Sequence, residues 1–169
     1  RQRQMCIRDR FIAGASLEAA LSRHGRMDAE EAVAMFLPIL SAVGAAHDAG
    51  ILHRDLKPAN ILLDDGPDGV VPKVTDFGIA KVLDDDEGTG KGKTRAGLAM
   101  GTPGYMPPEQ WADSSTVDAR ADVFSLGVVL YEMIAGQLPY KGATSLELLG
   151  SMMSGCLLYT SDAADEWIG

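Results

Sequence analysis

The chain has 169 residues, enough for one domain with a core of its own. Hydrophobic residues make up 46% and charged residues 23%, the balance of a globular protein. A net charge of −9 argues against a nucleic-acid partner, which needs a basic face, and against contact with an anionic membrane surface.

The first ten residues, RQRQMCIRDR, lack the apolar core of a signal peptide. No run is expected to reach the roughly 18 apolar residues of a membrane span. The longest candidate, VFSLGVVLYEMIAG, contains Glu132 and reads as a buried helix. Cys6 and Cys156 sit near opposite ends, in neither a disulfide framework nor a metal-ligand spacing, so a reducing intracellular setting is expected. Both lie in segments of odd character. MCIRDR near the start and CLLYTSDAADE near the end resemble translated sequencing-adapter scar, which carries no fold information. The domain is therefore expected within residues 11–154, with 1–10 and 155–169 as foreign flanks.

In chain order, residues 16–24 read as a short helix with Ser16 as N-cap. Asp28, with Glu31 three residues on, opens a second helix as a capping-box variant. Val33, Phe36, Leu37, Leu40 and Val43 recur along it at helical spacing. Pro38 should kink it or perturb one turn, and Gly50 should end it. ILL at 61–63, the polar turn DDGPDG and VVPKVTD read as two short strands and their loop. Residues 84–100, rich in glycine and charge, read as a mobile loop. Residues 120–135 are apolar nearly all round, the pattern of a central buried helix. A last helix should begin near Thr144.

Between the second helix and the first strand, ILHRDLKPANILLDD places Asp55, Lys57 and Asn60 within six residues. TDFG then puts Asp76 at the end of the second strand. Phosphoryl transfer suits this set. It needs a carboxylate to accept or orient a hydroxyl proton, a cation near the transferring group, and oxygen ligands for Mg²⁺. Asp55 is the candidate base, and Asn60 and Asp76 are hard oxygen donors for the metal.

HRDLKPAN (53–60), DFG (76–78), GTPGYMPPE (101–109) and DVFSLG (122–127) stand in the order and rough spacing of the eukaryotic-like protein kinases. The chain resembles the large C-terminal lobe of a serine/threonine kinase of the kind common in bacteria. The resemblance implies a mainly α fold with a short β-hairpin. It implies ATP and Mg²⁺ as cofactors, and as partner a protein bearing Ser or Thr, including the kinase itself by autophosphorylation. It also implies a cytoplasmic setting for this domain, whatever anchors the parent.

By the same resemblance, Asp55 is the base and Lys57 lies beside the transferring phosphate. Asn60 and Asp76 hold the metal, and Leu62 lies beneath the adenine ring. Thr102 contacts Asp55 and Lys57 at the substrate site, and Asp122 braces the catalytic-loop backbone. His53 and Phe77 belong to a packed stack; His47 and His24 read as ordinary helix residues. Arg54 would pair with a phosphorylated threonine, Thr94 ahead of Thr89, because a phosphate gains charge-assisted bonds to a guanidinium. Glu109 matches a glutamate that normally pairs with a distant arginine, and leaving a buried charge unpaired would cost about 3–5 kcal/mol.

No Gly-rich loop and no strand lysine precede residue 53. The resemblance therefore implies that this chain holds the large lobe only and is inactive alone. Two other readings compete: a pseudokinase or docking module, and a small-molecule phosphotransferase. The intact Asp55, Lys57, Asn60 and Asp76 set weighs against the first, and the GTPGYMPPE segment against the second.

Overall fold

A computed structural model describes residues 14–66, 69–77, 101–113 and 117–155. The loop at 84–100, with Thr89 and Thr94, lies outside the described residues, as do residues 1–13 and 156–169. The elements run α1 (Leu17–His24), α2 (Ala29–Asp48), a 3₁₀ turn (Pro58–Asn60), β1 (Ile61–Gly66), β2 (Gly69–Val74), α3 (Pro108–Ala112), α4 (Ala119–Ala135) and α5 (Ser145–Met153). The fold is mainly helical with one antiparallel hairpin among the described residues, as expected.

Short polar side chains set the helix starts. The Ser16 hydroxyl accepts from the Ala19 N–H at 3.2 Å. Asp28 accepts from the Glu31 N–H at 2.8 Å. Thr144 accepts from the Glu147 N–H, and the Glu147 carboxylate accepts from the Ala143 N–H, which caps α5 from both sides. At the end of α2, Gly50 takes φ 74. Its N–H reaches the His47 carbonyl, and the Ile51 N–H reaches the Ala46 carbonyl. These two bonds form a Schellman turn, which needs the left-handed residue that glycine supplies.

The helix continues through Pro38, which costs the Ala34 carbonyl its intrahelical donor, a perturbed turn as expected; Ala34 is exposed, so that carbonyl is open to water. Two other expectations for α2 need correction. The buried stripe is Ala32, Ile39 and Val43, with Met35 and Phe36 partly covered, while Val33, Leu37 and Leu40 face outward. α2 packs against both β2 and α4. Ala29–Asp48 is also long and apolar enough, by length and composition, to cross a membrane, with a mean hydropathy of 1.5. Its stripe in the common core and its polar bond to α4, described below, make it a helix of this domain.

The hairpin pairs Ile61 with Val74 through Gly66 with Gly69, so Asp64, Asp65 and Gly66 extend the strand where a turn was expected. Its open end faces the catalytic loop. Ile61 is buried in the core cluster with Leu17, Leu56, Leu126, Val129 and Met133. α4 contributes Leu126, Val129 and Met133 to this cluster, with Ser125 and Asp122 also buried. It is not buried all round: Val123 and Ile134 are exposed.

Two bonds tie the 101–107 segment to α4. The Ser125 hydroxyl donates to the Tyr105 carbonyl at 2.7 Å. The Tyr105 hydroxyl donates to the Glu132 carboxylate at 2.6 Å. Burial, then the Glu132 bond and charge, push the Tyr105 phenol above its ordinary value. Burial also raises the Glu132 carboxyl, and the Tyr105 hydrogen bond offsets only part of that rise.

The raised Glu132 value carries a definite sign. Its protonated form is favoured in the folded state, so its contribution to stability is present below the ordinary glutamate value and lost as pH rises through the raised one. Glu132→Gln, which stays neutral and still accepts from Tyr105, should unfold at a higher temperature than the wild type. That difference should grow as pH rises through this window. A melting-temperature difference independent of pH would contradict the assignment.

Candidate active site

The site begins with a buried carboxylate. Asp122 on α4 is 1% exposed and accepts three hydrogen bonds of 2.8 Å, from the His47 ring Nε2, the His53 N–H and the Arg54 N–H. The donors come from the end of α2 and from the loop after it. A buried carboxylate is tolerated only when its lone pairs are filled in this way. The result is a rigid seat for the loop's backbone.

That seat holds strain. Among the described residues, only Arg54 and Asp76 are non-glycine residues with positive φ, at 68° and 62°. A non-glycine residue in such a conformation costs on the order of 1–3 kcal/mol and persists only where its surroundings impose it. For Arg54 the Asp122 carboxylate holds the N–H. The Gln110 carboxamide donates to the carbonyl at 2.8 Å. Gln110 is itself 3% exposed.

The next residue is Asp55. Its Oδ1 accepts from the Thr102 N–H at 3.0 Å and the Thr102 hydroxyl at 3.1 Å. Its Oδ2 lies 2.9 Å from the Lys57 ammonium. The Lys57 Nζ also donates to the Thr102 hydroxyl at 2.7 Å. The Thr102 hydroxyl thus accepts from Lys57 and donates to Asp55, which closes a three-membered network. Residue 102 comes from the GTPGYMPPE segment, so this network joins that segment to the catalytic loop. The remaining contact on Oδ2, from the Asn60 carboxamide, is 3.4 Å, too long for a strong bond.

Asn60 is fixed by its own side chain. Its Nδ2 donates to the Asp55 carbonyl at 2.8 Å, which leaves Oδ1 as the acceptor end of the carboxamide, without a donor among the described residues. Its main-chain carbonyl takes the Thr75 N–H at 2.9 Å and the Thr75 hydroxyl at 3.2 Å. Thr75 therefore ties the 3₁₀ turn to the residue before Asp76. The Asp76 carboxylate is exposed and, among the described residues, receives a 3.4 Å contact from the Thr75 hydroxyl. One amide oxygen and one carboxylate, held close by Thr75, fit the hard-oxygen preference of Mg²⁺, which keeps several waters of its own.

His53 packs as expected, with its ring 4.9 Å from that of Phe77. Its Nε2 meets the Thr75 carbonyl at 2.8 Å, and its Nδ1 accepts from the Asp55 N–H at 3.3 Å, which suits the tautomer with the proton on Nε2. Leu62 sits on β1, half-buried and paired with Lys73. Trp111 is partly packed after the segment, with its indole N–H buried and without a partner among the described residues.

Two expectations are corrected here. His47 is no ordinary helix residue, because it is a donor to Asp122. Glu109 is exposed, so its charge is solvated and the cost of an unpaired buried carboxylate does not arise. Gln110 carried no local signal. Its partner lies 56 positions away, and no spacing rule connects them.

The chain matches the protein kinase domain family over residues 1–166. It is 42% identical over 139 residues to the serine/threonine-protein kinase pkn3 of Myxococcus xanthus, covering 80% of this chain and 25% of that protein. It is 39% identical over 138 residues to the serine/threonine-protein kinase PknL of Mycobacterium tuberculosis, covering 82% of this chain and 32% of that protein. A probable serine/threonine-protein kinase PknB of Bifidobacterium longum is 38% identical over 138 residues, 82% of this chain and 19% of that protein. The chain thus spans about a third or less of the length of these relatives. Proteins of this family generally use ATP and Mg²⁺ and act on protein hydroxyls. With its motifs, its catalytic-loop geometry and these relatives in agreement, the chain belongs to the protein kinase family.

Proposed function

We propose that the protein carrying this chain is a serine/threonine protein kinase, transferring the γ-phosphoryl group of ATP to a Ser or Thr hydroxyl of a protein, itself included. The observation that carries the reading is the Thr102 hydroxyl held between Asp55 and Lys57. It seats a segment able to receive a substrate backbone against the two side chains that would do the chemistry. The substrate oxygen attacks the γ-phosphorus, the bond to the β-phosphate oxygen breaks, ADP leaves, and the hydroxyl proton passes to Asp55. Lys57 offsets charge on the transferred group. Asn60 Oδ1 and the Asp76 carboxylate would hold Mg²⁺, which when bound neutralises charge on the phosphates. Leu62 would pack against the adenine.

Residues 11–154 carry the domain in this reading, with 1–10 and 155–169 as foreign flanks. The setting is cytoplasmic for this domain. The half-buried Arg54 guanidinium would receive a phosphate on Thr94 or Thr89, and Glu109 opens the helix that closes the segment.

In the protein made from the complete reading frame, Asp55→Asn should lower kcat for transfer to a generic protein by at least about 10²-fold, with thermal unfolding unchanged. The same assay on residues 1–169 alone should read background. Undiminished transfer by Asp55→Asn would overturn the assignment, and transfer to small alcohols in preference to peptides would move it to another phosphotransferase class. Mass-spectrometric mapping of the active protein should find phosphate on Thr94 or Thr89; finding neither would remove the role given to Arg54.

A further inference from the structure

Resting on that reading, the geometry points to Gln110 as a positioning residue for phosphoryl transfer: its carboxamide holds the Arg54–Asp55 peptide in the orientation that aims the Asp55 carboxylate. Three segments meet at the Arg54 carbonyl. The catalytic loop supplies the carbonyl itself, on a residue held at φ 68. α3 supplies the Gln110 Nε2–H at 2.8 Å. The start of the 101–107 segment supplies Gly101, at φ 126. A Cβ at Gly101 would lie 3.2 Å from Gln110 Nε2, 3.5 Å from the Arg54 oxygen and 2.7 Å from Met106 Cε. The absence of a side chain there leaves the passage through which the carboxamide reaches its partner.

The consequence is directional. Asp122 fixes only the amide side of Arg54, and one fixed end does not hold a non-glycine residue in the left-handed region. The peptide after Arg54 is the one that leads into Asp55. Among the described residues, the N–H of that peptide has only the long 3.3 Å bond to His53 Nδ1, so releasing the carbonyl leaves it weakly held, able to rotate toward the favoured right-handed region and carry Asp55 away from Thr102 and Lys57. Gln110 therefore makes the seating of the segment from 101 to 112 a condition for the alignment of the base. It touches no reacting atom. Its effect should fall on kcat rather than on the KM for ATP.

The test uses the protein from the complete reading frame. Gln110→Glu places a carboxylate where a donor is required, whereas its protonated form can donate as the amide does. Its kcat at about pH 8 should fall roughly tenfold or more, with the KM for ATP little changed, and should recover as pH falls toward roughly pH 5. That acid limb should be absent from the wild type. Gln110→Met, of similar shape and with no donor, should lose kcat at every pH without recovery. If Gln110→Met does not fold, Gln110→Glu prepared at about pH 5 and shifted to about pH 8 gives the same readout. Wild-type kcat and pH profile in Gln110→Glu, beside an active wild type, would overturn the inference. A wild type that transfers no phosphate would instead overturn the proposed function.

Discussion

Everything at this site depends on one buried carboxylate. Asp122 sits in the central helix, and its two oxygens take hydrogen bonds from the end of α2 and from two consecutive amides of the catalytic loop. Removing a carboxylate from water is costly, and three donors compensate it. Because compensation needs all of them, the loop is seated in one arrangement. Arg54 accepts a left-handed backbone as part of that arrangement, and Asp55 follows from it.

The chemistry is built outward from this seat in two directions. Toward the hairpin, the Thr75 N–H and hydroxyl both donate to the Asn60 carbonyl, which ties Asn60 to the residue before Asp76. Toward the 101–112 segment, Thr102 and Gln110 reach back to Asp55, Lys57 and Arg54. Tyr105 and Ser125 then anchor the segment to the same helix that carries Asp122. α4 is thus a common base for the catalytic loop and for the segment that would present the substrate. Such preorganisation suits a reaction in which positioning and charge supply most of the rate.

Much of this was legible in the sequence, because the chemistry is local. Asp55, Lys57 and Asn60 lie within six residues, and Ser16, Asp28 and Gly50 mark helix ends by rules that act over one turn. What escaped was long-range. The bond of His47 spans 75 positions, that of Gln110 spans 56 and that of Tyr105 spans 27. No periodicity encodes them. The face of α2 was misread for another reason. It carries apolar residues on two sides, and the larger ones, Val33, Leu37 and Leu40, outweigh Ala32 in any pattern count. Only tertiary contact decides between the two sides, and α4 and β2 pack against the one with Ala32, Ile39 and Val43.

The most direct test of the account is amide hydrogen exchange at His53 and Arg54 in the wild type and in Asp122→Asn, with the amide of Val43 inside α2 as an internal reference. The carboxamide replaces one acceptor oxygen by a donor, and the two loop amides sit on different oxygens, so one of them loses its partner while the helix keeps its ladder. The account predicts that at least one of His53 and Arg54 exchanges at least about tenfold faster in the variant, with Val43 unchanged. Equal protection of the two loop amides in both proteins would contradict it, because the catalytic loop would then be held by something other than Asp122.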